Sequence, residues 1–174
     1  MPERDFGLAI IDQWKVRVIE ESTPRINKCL ALLSDDDIWH RPNAEMVSIG
    51  NLMLHMSGSM RQWICAGLGG QEDTRKRSEE FSEPGPLPKQ HLLDGLEVTT
   101  RDAVAVLDAV DPTSLLETHG VQAYVESGVG IIIHQIEHIT YHTGQITYYT
   151  KSIKAVDLGY YAGENLESHG GPGA

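Results

Sequence analysis

IIIHQIEHITYHTGQITYYT, residues 131–150, carries three histidines at one-turn intervals, His134, His138 and His142. On a helix, successive residues turn by about 100°, so positions four apart share a face. With His138 as origin, His134 and His142 sit about 40° to either side, and Gln145 and Tyr149 fall within about 20°. Ile131 closes the same stripe at its other end. An imidazole row bounded by apolar groups suits a polar site set into a helical core. The question is which distant residue completes it.

The rest of the chain supplies such a core. Its 174 residues are 40% hydrophobic and 22% charged, the balance of a folded globular protein, and one domain is the simplest reading. No apolar run approaches the roughly 20 residues that span a bilayer. The opening MPERDFG is acidic at once and has no apolar core of a signal peptide. Cys29 and Cys65 make no disulfide framework and read as reduced, buried thiols, so a cytoplasmic location is expected. A net charge of -11, from 14 basic and 25 acidic residues, repels phosphate backbones and argues against nucleic-acid binding.

Four amphipathic segments are predicted as helices, near 5–33, 48–64, 89–110 and 127–151. In the first, Phe6, Ile10, Trp14, Val18, Ile26, Leu30 and Leu33 form the inward stripe. Pro24 predicts a kink, or two pieces meeting at Ser22–Thr23–Pro24. Ser48 is the expected cap of the second helix, in which Ile49, Leu52, Met53, Met56, Met60 and Trp63 face inward. His55 sits beside that stripe, and Gly58 and Ser59 leave space on its side. Trp39 is expected to cover a core end, with a pocket mouth as the alternative.

Residues 66–88 read as a long exposed crossover with turns at Gly69–Gly70 and Pro84–Gly85–Pro86. Its Asp73, Arg75, Arg77 and Glu80 are expected to be a solvated charge network, with pocket closure as the alternative. VQAYVE, residues 121–126, can be read as extended or helical. The polar, glycine-rich end, including His169, is expected to fray.

A two-histidine clamp at i and i+4 is a workable half-site for a divalent ion. Spacing alone leaves His134–His138 and His138–His142 equal, and leaves open that the histidines hold no metal. Glu137, about 100° from His138, points away from the row, and no HExxH order is present.

SIGNLMLHMSGSMRQWI, followed much later by HQIEHITYHTGQITYYTK, resembles the DinB/YfiT-like superfamily, and WHRPN (39–43) and DTRKRSEEF (73–81) match one bacterial branch. The resemblance covers about residues 5–152. It implies an all-α four-helix bundle with long crossover connections, residues 1–152, leaving 153–174 as a partly disordered C-terminal extension. It also implies a homodimer and a three-histidine metal site of His55, His138 and His142. His134 then falls outside the triad, in the second shell or pocket wall with Tyr141, Gln145 and Tyr149.

Three imidazoles suit zinc or nickel first, and tolerate iron or manganese. The activities that the resemblance implies are those of metal-dependent transferases and isomerases acting with a small thiol and, as an alternative, metal-dependent amide hydrolysis. A non-catalytic metal-binding or structural bundle is the competing class. No serine or cysteine has an evident activating base, Cys65 being a weak candidate only, so the catalytic residues stay unassigned.

Overall fold

The computed structural model describes residues 2–168. His169, expected to fray, lies outside them. Four long helical arms build the molecule, as the amphipathic segments predict.

The first arm runs from α1 (Pro2–Trp14) through π-helical turns, Lys15–Ser22, into α2 (Thr23–Leu32). Two helical pieces do meet at Ser22–Thr23, as one of the two expectations had it: the hydrogen-bond ladder is widened up to Ser22 and α-helical from Thr23. Pro24 has no N–H to donate. Upstream, the Thr23 N–H reaches the Val18 carbonyl, and the Ser22 and Thr23 hydroxyls donate to the Arg17 and Val18 carbonyls at 2.7 and 2.8 Å. The Val18 carbonyl thus accepts from both the N–H and the hydroxyl of Thr23. Trp14, Val18, Ile26 and Leu30 are fully buried, but Phe6 is exposed, against expectation. Gly7 is buried instead, packed so closely on the Pro112 backbone that a Cβ there would not fit.

A short α3 (Asp35–Trp39), capped by Ser34, leads to α4 (Ile49–Met60). Ser48 caps α4 as expected: its Oγ accepts from the Asn51 N–H at 3.1 Å, and Asn51 Oδ1 accepts from the Ser48 N–H at 3.2 Å. The helix runs past the expected residue 64, as π-helical turns over Arg61–Leu68, and stops at Gly69. Trp63, Ile64 and Cys65 stay buried along that extension. The crossover that follows contains a one-turn helix, α5 (Arg77–Ser82). Trp39 seals the end of the core beneath it. Its ring lies against Gly50 and Gly85, where a Cβ would not fit, and its Nε1–H donates to Leu87 O at 2.9 Å.

The third arm is α6 (Lys89–Ala109), packed on α4 through Leu92, Leu96, Ala103 and Leu107. After a 3-10 turn, Pro112–Leu116, VQAYVE proves extended. β1 (Thr118–Val121) and β2 (Tyr124–Ser127) form an antiparallel hairpin, with Gln122 at φ 56° in its turn. The last arm, α7 (Gly128–Lys154), packs against α1, α2 and α4. Ile131, Ile132, Ile139 and Ile146 bury its inner face in the core. Ala155, at φ 50°, ends it. The chain then folds back, burying Leu158 and placing the Tyr160 hydroxyl 3.2 Å from Cys29 Sγ and 2.9 Å from Thr147 Oγ1. Both cysteines are free and buried. No helix of the described residues is long and apolar enough to cross a membrane.

Candidate metal centre

His55 comes from the middle of α4, and His138 and His142 from successive turns of α7, where the two helices pack together. His138 Nε2 lies 2.9 Å from His55 Nε2 and 3.2 Å from His142 Nε2. One ligand atom from each of the three can be chosen so that all lie within 4.8 Å of one another.

The far side of two rings is anchored. His142 Nδ1 lies 2.7 Å from Gln145 Oε1, a carbonyl oxygen that only accepts, so the ring proton sits on Nδ1. His55 Nδ1 lies 2.9 Å from Glu80 Oε2 and 3.1 Å from Arg75 Nη2; the guanidinium is already committed to Glu80 at 2.8 Å, so the nearer carboxylate accepts the Nδ1–H bond. Both Nε2 lone pairs are thereby turned toward His138. Its own Nδ1 is buried without a protein partner among the described residues.

Glu80 arrives from the crossover, and the expectation of a solvated charge network fails for it and Arg75, while Asp73 and Arg77 stay exposed. Arg75 clamps Glu80 through Nε–Oε1 at 2.7 Å and Nη2–Oε2 at 2.8 Å, with the two side chains only 5% and 11% exposed. Arg75 Nη1 also donates to Gln62 Oε1 at 2.8 Å, and Gln62 Nε2 donates to Asp73 Oδ2 at 2.7 Å. Burial pushes the Glu80 carboxyl upward, but the hydrogen bonds from Arg75 and His55 overcome this and hold it below the usual carboxylate range. The space that Gly58 leaves beside His55 is filled by this pair: a Cβ at Gly58 would collide with the Glu80 carboxylate.

His134 stands apart from the triad. Its ring stacks on Trp63 at 3.8 Å between centroids and lies 5.7 Å from that of His138. A cleft of about 550 Å³ opens onto the site, lined by His55, His138, Trp63, His134, Arg77 and Tyr124 among others. The hairpin thus supplies a wall, through Tyr124, that the undecided VQAYVE stretch did not disclose. The Tyr141 ring meets His142 edge-on at 5.1 Å, and its hydroxyl accepts from Gln145 Nε2 at 3.3 Å. Gln145 itself is exposed. Tyr149 turns to another side, where its hydroxyl donates to Asp37 O at 3.4 Å. Helical spacing put Tyr149 on the histidine face, but two turns past His142 it reaches α3 instead.

The family model described as a protein of unknown function, DUF1572, matches residues 7–161. The chain belongs to the DUF1572 family. A crystal structure described as a DinB-like protein from Bacillus cereus ATCC 10987 is similar in fold, with a TM-score of 0.63 at 16% identity. The match covers 80% of this chain and 90% of that one. The all-α bundle of this DUF1572 chain is therefore DinB-like. No curated protein matches it.

The donor set of this DUF1572 chain fits a divalent ion. Burial lowers His138 to about 3, helped by the neighbouring His142, His55 and His134 rings and by Arg75. Burial also lowers His142, against the hydrogen bond to Gln145, and lowers His134. These imidazoles are neutral near pH 7, the form that donates a lone pair. With the ring protons of His55 and His142 held on Nδ1, at least two lone pairs converge on one small space. Three neighbouring histidines can hold a metal ion there.

Proposed function

We propose that this chain is a metal-dependent transferase acting with a small thiol, with His55, His138 and His142 holding one zinc or nickel ion. The observation that carries this reading is the cleft: His55 and His138 belong both to the triad and to the lining of an open cavity of about 550 Å³. A purely structural site would be closed over by its ligands. A divalent ion among three neutral imidazoles supplies a nearly uncompensated charge, which lowers the pKa of a bound thiol or water.

The protein's own residues do the rest. Glu80 and Gln145 hold the His55 and His142 rings with Nε2 inward. Trp63 and His134 form a flat stacked wall against which an apolar or planar part of a substrate can lie. Arg77, its guanidinium 4.8 Å from the centre of the Phe81 ring, brings a positive charge to the cleft of an otherwise acidic protein. The small-thiol assignment rests on the resemblance of the quoted motifs, and the open cleft is compatible with it.

The test is to load metal-free protein with cobalt, follow its visible spectrum on adding small thiols, and assay transfer to an electrophile panel. Thiol-induced spectral change and metal-dependent thiol consumption are expected. A spectrum indifferent to thiols, with no turnover, would leave a non-catalytic metal-binding bundle. Metal-dependent cleavage of amides without thiol consumption would replace the transferase with a hydrolase.

A further inference from the structure

We infer that the crossover segment 73–83 is a working part of the metal centre, with Glu80 the positioning residue for His55, so that metal binding and docking of the crossover are coupled. The inference rests on the reading of His55, His138 and His142 as ligands. It concerns residues that the ligand set does not include.

Its basis is the way this segment is attached. Glu80 Oε2 accepts a hydrogen bond from His55 Nδ1–H at 2.9 Å, closer than the 3.1 Å approach of Arg75 Nη2 to the same nitrogen, and so favours the Nδ1–H tautomer with Nε2 turned inward. The same carboxylate is held on both oxygens by Arg75. Arg75 is braced in turn by Gln62, on the π-helical extension of α4, which also holds Asp73. Asn51, in the first turn of α4, donates through Nδ2 to the carbonyls of Glu80 and Glu83, each at 2.9 Å. Phe81 packs its ring 4.6 Å from that of His55.

No residue of α5 is fully buried, so the polar bonds to α4, together with the half-buried Phe81 ring, are what seat the segment. A carboxylate on the remote nitrogen makes an imidazole a better donor and holds its orientation. By linkage, an ion that prefers the oriented ring favours the docked crossover, and the docked crossover favours the ion to the same degree. Gly58 is part of the device, since any side chain there would displace the Glu80 carboxylate.

Zinc affinity by competition with a chromophoric chelator, together with the visible spectrum of the cobalt form, is measured for wild type, Glu80→Leu, Glu80→Gln and Gly58→Ala. Glu80→Leu and Gly58→Ala are expected to weaken zinc binding about 10- to 100-fold. Glu80→Gln, which keeps an acceptor for the His55 N–H, should recover part of the affinity and return the cobalt spectrum toward wild type. Hydrogen exchange of wild-type amides 73–83 should slow when zinc is added, a readout that stands even if Glu80→Leu does not fold.

Wild-type zinc affinity in folded Glu80→Leu and Gly58→Ala would overturn the inference while leaving the three-histidine reading intact. Unchanged exchange of 73–83 on adding zinc would overturn the coupling. A wild-type protein that takes up no metal would overturn the ligand reading and this inference with it.

Discussion

At the scale of single residues, the four histidines of the site differ because their partners differ. His55 and His142 each have the remote nitrogen anchored, whereas His134 is held by stacking on Trp63. His138→Ala, which removes the central ring, is therefore expected to abolish stoichiometric zinc binding. His134→Ala should keep it and instead alter Trp63 fluorescence. Zinc titration with elemental analysis checks both, and equal retention in the two variants would defeat the assignment.

Asp37 gives a second residue-scale prediction. Lys154 bonds its carboxylate at 2.7 Å and Ser34 bonds it as a helix cap, which lowers its pKa to about 2. A depressed carboxylate contributes stability above its unfolded pKa of about 4 and loses it as pH falls toward 2. Denaturant midpoints for wild type and Asp37→Asn should thus differ clearly at pH 6 and draw together at pH 3. A gap that does not narrow would refute the linkage.

At the scale of elements, close approaches between helices and loops decide more than helix propensity does. A methyl group at Gly50 would come within 2.6 Å of the Trp39 ring, which the crossover also grips through Leu87 O. Gly50→Ala improves intrinsic helix propensity, yet it should destabilise the protein by about 1–3 kcal/mol through overpacking. For a chain of this size that lowers Tm by about 2–4 °C for each kcal/mol, readable by calorimetry. A raised Tm would show that Trp39 can move aside.

At the scale of the whole molecule, α7 joins the candidate metal site to the surface. Its inner face carries the site, while Ile133, Tyr141, Tyr148 and Ile153 stand exposed elsewhere along it. The homodimer implied by the family resemblance remains our proposal for solution, and sedimentation at tens of micromolar should show it. A monomer throughout that range would count against it.

The local sequence determined a great deal. Apolar residues at three- and four-residue spacing fixed the four arms, and Ser48 marked the start of α4, because helix periodicity and capping are local physics. The same spacing put the histidines of α7 on one face, and the motif resemblance singled out His55 as their distant partner. Tertiary structure alone decided which remote groups turn those rings inward. Glu80 lies 25 residues from His55 and looked like one more surface charge, since sequence reveals a charge but not its burial. The hairpin wall at Tyr124 and the turning away of Tyr149 were hidden for the same reason. Each depends on what a different element brings into contact, and nothing in the local pattern encodes that neighbour.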